Sequence, residues 1–265
     1  MTTPKPIVVL VAMRSELHHL LRSNPPVSTD VDGIWTDHHL RIAGRPVIAC
    51  RTGVGMIAAA AATERAVNLH QPDAVLNYGC AGAHHRDLFP GDVVIGTSVA
   101  HHSKITIHTS GDEIVTPIVY RIGDDTFRVP DLPCDETLVA AAQSAATSWR
   151  PDSWPAKLFP ISLERPSQVH LGGIASADVW TQSHARIAIL HARHASLCED
   201  MEAAAIAQVC AMHETPFLTI KDISNNELLV ATDLANFGDV HGAEIGKRAA
   251  ALTIRTLTQL SNVCR

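Results

Sequence analysis

Apolar residues follow two rhythms along this chain. Ile7-Val8-Val9-Leu10-Val11-Ala12 is an unbroken apolar run of strand length, and the polar stretch from Ser15 to Arg22 behind it reads as a helix. Segments around Trp35 and from Val47 to Cys50 predict a hairpin turned through Ala43-Gly44-Arg45-Pro46. Gly53-Val54-Gly55 then enters an Ala-rich helix reaching to about His70, and Pro72 resets the chain into a strand over Ala74 to Tyr78. Gly79-Cys80-Ala81-Gly82-Ala83 reads as a small-residue loop in which backbone approaches a ligand closely, and Gly91 to Gly96 as another buried strand.

Periodicity fades over residues 104–168, apart from one helix near Glu136 to Trp149, and a divergent insertion or substrate-side flap is expected there. Strand character returns over Val169 to Ser176. A helix over Ala203 to Met212, a strand over Pro216 to Ile220 and an amphipathic helix from about Gly242 to Leu260 complete the pattern. The alternation predicts a mainly parallel α/β sheet. With 265 residues and 46% hydrophobic content, one large domain spanning 1–265 is expected.

Charge narrows the partners. The formal net charge is −6 and the Lys and Arg residues are scattered, which argues against nucleic acid and against an anionic membrane surface. No apolar run approaches the roughly 20 residues of a membrane span, and Met1 to Lys5 lacks a signal-peptide layout, so a cytoplasmic protein acting on a small molecule is expected. Six cysteines lie far apart without a C-x-x-C pair, and most read as buried reduced thiols. Sixteen histidines include the doublets His18-His19, His38-His39, His84-His85 and His101-His102, which read as surface or loop positions because adjacent rings face apart. No metal or cofactor is expected; a histidine-based metallohydrolase is the minor reading.

Six motifs then recur in one order: Ala12-Met13-Arg14-Ser15-Glu16, Gly53-Val54-Gly55, Asn77-Tyr78-Gly79-Cys80-Ala81-Gly82, Gly91-Asp92-Val93-Val94, Glu199-Asp200-Met201-Glu202-Ala203-Ala204-Ala205 and Ile223-Ser224-Asn225. Across nearly the whole chain except about 104–168, the set resembles the methylthioadenosine/S-adenosylhomocysteine nucleosidase branch of the nucleoside phosphorylase superfamily. The resemblance implies a three-layer αβα sandwich around a mixed, largely parallel sheet, and an N-glycosyl hydrolase of purine nucleosides. It also implies a homodimer in which the 104–130 region of a second copy finishes the pocket around the 5′ substituent.

By the same resemblance, Glu16 matches the water-activating glutamate, while Met201 and Glu202 match the ribose clamp. Trp180, in Ser176-Ala177-Asp178-Val179-Trp180, matches the aromatic platform for the base, with neighbouring backbone reading the base edge. Cys80, Ala81, Gly82, Lys221 and Ser224 fall at substrate-side positions, and Phe237 is expected to close over the 5′ side. Taken singly, Glu16 and Glu202 also read as acidic residues in a helix's first turn, and Trp180 as a core residue.

The sequence departs from the pattern at Asn225, where the family carries its leaving-group aspartate. A carboxamide offers an NH₂ donor and a C=O acceptor but transfers no proton. Asparagine here resembles the superfamily members that act on 6-oxopurine nucleosides, so the base stays open between 6-amino and 6-oxo, and a catalytically inactive nucleoside-binding protein is a further alternative. Asp222 lies at an odd offset from Asn225, which on a strand directs it to the opposite face. Lys221 stands for the usual arginine and Cys80 for a small hydroxyl residue.

Overall fold

The computed structural model describes residues 4–159, 165–237 and 242–263, so Cys264 and Gly238 lie outside it. The opening run forms β1 (Ile7–Val11), buried along its whole length, and leads into α1 (Arg14–Ser23). Next come β2 (Ser28–Asp32), β3 (Trp35–Ile42) and β4 (Arg45–Arg51), with β3 and β4 forming the expected hairpin. The Ala-rich segment becomes α2 (Met56–His70), followed by β5 (Ala74–Ala83) and β6 (Val93–His101).

Within 104–168, β7 (Ile105–Ile107) pairs with β8 (Glu113–Val115), and β9 (Ile118–Ile122) with β10 (Asp125–Val129), as two small hairpins outside the main sheet. β11 (Leu132–Pro133) pairs with β6, and α3 (Glu136–Thr147) is capped by Asp135, whose side chain accepts from the Leu138 N–H. The remaining elements are β12 (Val169–Ser176), α4 (His184–His194), β13 (Ser196–Asp200), α5 (Ala203–Met212), β14 (Phe217–Asn225) and α6 (Lys247–Val263).

Ten strands form one mixed sheet. Parallel pairs join β4 to β1, β1 to β5, β5 to β14, β6 to β12 and β12 to β13, whereas β13–β5 and β14–β6 run antiparallel. Because β14 pairs with both β5 and β6, the strands β5, β14, β6, β12 and β13 close into a ring. Helices α1, α3 and α6 pack together beside the sheet, and α2 packs on α5. The closure brings the C-terminal ends of β5, β12, β13 and β14 to one place.

Two readings are corrected by this arrangement. Residues 79–83 are not a loop: β5 runs through to Ala83, because a strand hydrogen-bonded to both β14 and β13 has neighbours for its backbone even where its side chains are small. The strand expected over 216–220 likewise continues to Asn225. α4 and β13 were not distinguished in the sequence, since the basic face of His184 to His194 gives no clear apolar repeat.

Candidate active site

Glu16 occupies the first turn of α1, and its Oε2 accepts from the Met13 N–H at 3.0 Å. Its Oε1 accepts from the Cys80 N–H on β5, also at 3.0 Å, which ties the helix start to the sheet. Space for the carboxylate exists only because position 79 has no side chain: a Cβ there would lie 2.7 Å from Oε1. The group is 1% exposed, and burial pushes its pKa up against the opposing charge of Lys221.

Glu202 sits at the N-cap of α5, where its Oε1 accepts from the Gly55 N–H at 2.8 Å. Gly55 has φ +97°, a conformation that glycine adopts freely. The first amides of α5 are met by other groups, Ala203 by Asp200 and Ala204 by Ser176 Oγ, so Glu202 is not consumed in capping. Burial and the charge of Asp200 push Glu202 up to about 7, with Lys221 opposing.

Lys221 is fully buried, with Nζ 2.7 Å from Asp200 Oδ2. Burial disfavours its charge, but Asp200 and Glu202 outweigh that and hold it protonated. It lies outside the cavity lining and serves as the counter-charge beneath Asp200, Glu202 and Glu16. Asp222 accepts from the Gly246 and Arg248 N–H groups at the start of α6 and does not substitute for the missing aspartate.

Asn225, at the end of β14, accepts from Ser224 Oγ through Oδ1 (2.9 Å) and donates from Nδ2 to Glu227 Oε1 (3.0 Å). The carboxylate accepts only, so it fixes which end of the amide is nitrogen. Glu227 also receives the Trp180 indole N–H (3.1 Å), Gln182 Nε2 (3.2 Å) and the Thr232 N–H (2.9 Å). Trp180 meets Phe237 edge to face with ring centroids 5.1 Å apart. Glu227 had gone unrecognised in the sequence, although it stands two residues beyond Asn225.

Two histidine doublets also break expectation. His84 and His102 are buried, and both approach Glu199 Oε2, with Nε2 at 3.4 and 3.5 Å respectively. Burial drives His102 down to about 4 despite Glu199, so it is neutral near pH 7. Glu199 Oε1 accepts from the Thr181 N–H at 2.7 Å. Alternation along a strand end does send one ring of each doublet inward, and a buried acid was available to receive it.

Many of these groups line one cavity of about 180 Å³. Of the expected residues it gathers Glu16, Cys80, Ala81, Gly82, Trp180, Met201, Glu202, Ser224, Asn225 and Phe237, leaving Lys221 outside. Glu199, Asp200 and Glu227 join the lining, so five carboxylates face it and, among the described residues, no lysine or arginine does. Arg14 is exposed. Such a cavity suits a neutral ligand rich in donors, with an aromatic wall at one end and a buried carboxylate able to take a proton from water at the other.

Residues 6–258 match the family model described as the phosphorylase superfamily. A 5′-methylthioadenosine/S-adenosylhomocysteine nucleosidase of Bacillus thuringiensis (strain Al Hakam) is 32% identical over 231 residues, covering 86% of this chain and 90% of its own. The solved S. pneumoniae nucleosidase of the same name, bound to a transition-state inhibitor, superposes with a TM-score of 0.74 at 25% identity, covering 96% and 99% of the two chains. The futalosine hydrolase of Helicobacter pylori shares the fold, with a TM-score of 0.73 at 19% identity and coverage of 96% and 97%.

Proposed function

The chain belongs to the phosphorylase superfamily, and from that membership we propose that it is a purine nucleosidase that breaks the N-glycosidic bond with water. The observation that carries the choice of water is the acidic cavity. A phosphate dianion entering it would meet Glu16, Glu199, Asp200, Glu202 and Glu227, and among the described residues no cation lines the wall to receive it.

In the reaction, Glu16 holds the attacking water and takes its proton, and Glu202 accepts from the ribose hydroxyls with Met201 against the sugar. Trp180 provides the stacking face, and the second hydrogen of Asn225 Nδ2 stabilises the base as it departs as an anion, which takes its proton from solvent water while Glu16 returns the proton it took to solvent. Val54 and Val179 line the cavity yet stay exposed, which supports a homodimer whose second copy covers this mouth. The five described cysteines are free thiols, which supports a reducing, cytoplasmic setting.

The deciding experiment incubates the purified protein with adenosine-type and inosine-type nucleosides, with and without phosphate, and follows free base and sugar. Base release at the same rate in both buffers, with a free reducing sugar, is expected. Release that requires phosphate overturns hydrolysis, and ligand-induced thermal stabilisation without product identifies a binding protein. Light scattering of the same sample checks the dimer.

A further inference from the structure

Glu16 is fixed at both of its ends. Its backbone carbonyl accepts from the Tyr78 hydroxyl at 2.8 Å, and its carboxylate takes the Met13 and Cys80 N–H groups. The stem between them is walled by the turn that opens α6. A Cβ on Gly246 would lie 2.7 Å from Glu16 Cγ and 3.1 Å from its Cβ, so the bare glycine backbone rests on the middle of the side chain. Gly246 has φ +73°, in the left-handed region that favours glycine.

Asp222 holds this turn in place. Its Oδ1 accepts from the Gly246 N–H (2.9 Å) and its Oδ2 from the Arg248 N–H (3.0 Å), amides at a helix start, where no preceding turn supplies a carbonyl. The side chain is fully buried and comes from β14, 24 residues before Gly246, at the position opposite Cys80 in the parallel register. A carboxylate is a costly cap in such a place: burial pushes Asp222 up to about 7 against the charge of Arg248, with Glu16 adding to the rise. It nevertheless offers two acceptor oxygens, one for each amide, where a hydroxyl would offer one.

We propose that Asp222 is a positioning residue for Glu16: by pinning Gly246 against the Glu16 stem, it keeps the carboxylate aimed at the water it activates. The assignment rests on the nucleosidase reading above. In it β14 serves both ends of the reaction, with Asn225 at the base and Asp222, further back along the strand, behind the acid.

The test is Asp222→Asn, which keeps the shape and one acceptor but turns an NH₂ toward the second amide, so that one anchor is lost. In the base-release assay kcat is expected to fall by about tenfold to a hundredfold with KM nearly unchanged. The loss should vanish in the Glu16→Gln background, whereas a cap that serves only the fold would cost as much there. Asp222→Glu keeps both acceptors and shifts the turn by one methylene, and the same kcat-selective loss is expected of it should the asparagine variant fail to fold. A crystal structure of the folded variant reads the geometry without turnover: the Glu16 carboxylate is expected to leave the Met13 or Cys80 N–H while Glu202 keeps the Gly55 N–H. An unchanged kcat, a loss undiminished by Glu16→Gln, or an unmoved Glu16 carboxylate overturns the proposal. A wild-type protein that releases no base counts instead against hydrolysis, and the crystal comparison then decides on Asp222.

Discussion

The side-chain nitrogen of Asn225 donates to Glu227 Oε1 over 3.0 Å, and the same oxygen takes the indole N–H of Trp180. One carboxylate thus sets the orientation of both the base-end amide and the aromatic wall. Glu227→Gln keeps an acceptor on one side only, so either the Asn225 and Trp180 pair or the Gln182 and Thr232 pair loses its partner. We expect kcat/KM to fall by about tenfold to a hundredfold while the fold persists, checked by steady-state kinetics with thermal unfolding as control.

Glu16 is held by two backbone N–H groups from separate elements, which aims its carboxylate. A glutamine at this position cannot take a proton from water. Glu16→Gln is therefore expected to lower kcat by about 10² to 10⁴, with KM nearly unchanged, in the base-release assay.

Much of this site was legible because its residues sit where apolar runs end. Glu16 follows the first strand, Glu202 opens an Ala-rich helix, and Asn225 closes a strand; singly the two glutamates also read as helix-start acids, and the ordered set of six motifs is what singles them out. What the sequence concealed depends on contacts between distant segments. Closure of β5, β14, β6, β12 and β13 into a ring is what brings Glu199 against Thr181, His84 and His102. Lys221 looked like a substrate ligand because its neighbours are, yet it lies further back along β14 than Asn225 and its Nζ goes to Asp200. Residues 79–83 looked like a loop because glycine and alanine carry no strand preference, while pairing on both sides makes them strand.

The elevation of Glu202 to about 7 has a defined sign for stability. A carboxyl raised above its ordinary value of 4.5 supports the fold fully below that value, and this support is lost as pH rises through about 7. Glu202→Gln keeps an acceptor for the Gly55 N–H but no longer titrates. Its melting temperature relative to the wild-type protein should therefore climb from about pH 4.5 to about 7 and level off above that. Asp222, also raised to about 7 by burial against the opposing charge of Arg248, titrates in both proteins and cancels from the difference. A flat difference across that range would remove the buried, proton-holding Glu202 from the mechanism.

Gly79 offers the sharpest separation of fold from chemistry. Its φ is not in the left-handed region, so alanine fits the β5 backbone, and the strain falls on what the new Cβ meets. That is Glu16, with Cδ at 3.2 Å and Oε1 at 2.7 Å, the latter too close for the carboxylate to stay in place. Gly79→Ala should lower kcat by about tenfold to a hundredfold, since a displacement near 1 Å is costly at a reacting group, while KM changes little. Because the loss passes through Glu16, it should vanish when Glu16 is already disabled: Glu16→Gln with Gly79→Ala should be no slower than Glu16→Gln alone. Additive losses in that cycle would mean that Gly79 acts on the site by another route. Gly82→Ala supplies the contrast, because its Cβ would meet Asn225 Nδ2 at 3.3 Å, a distance a small side-chain shift relieves, and the milder loss should persist in the Glu16→Gln background.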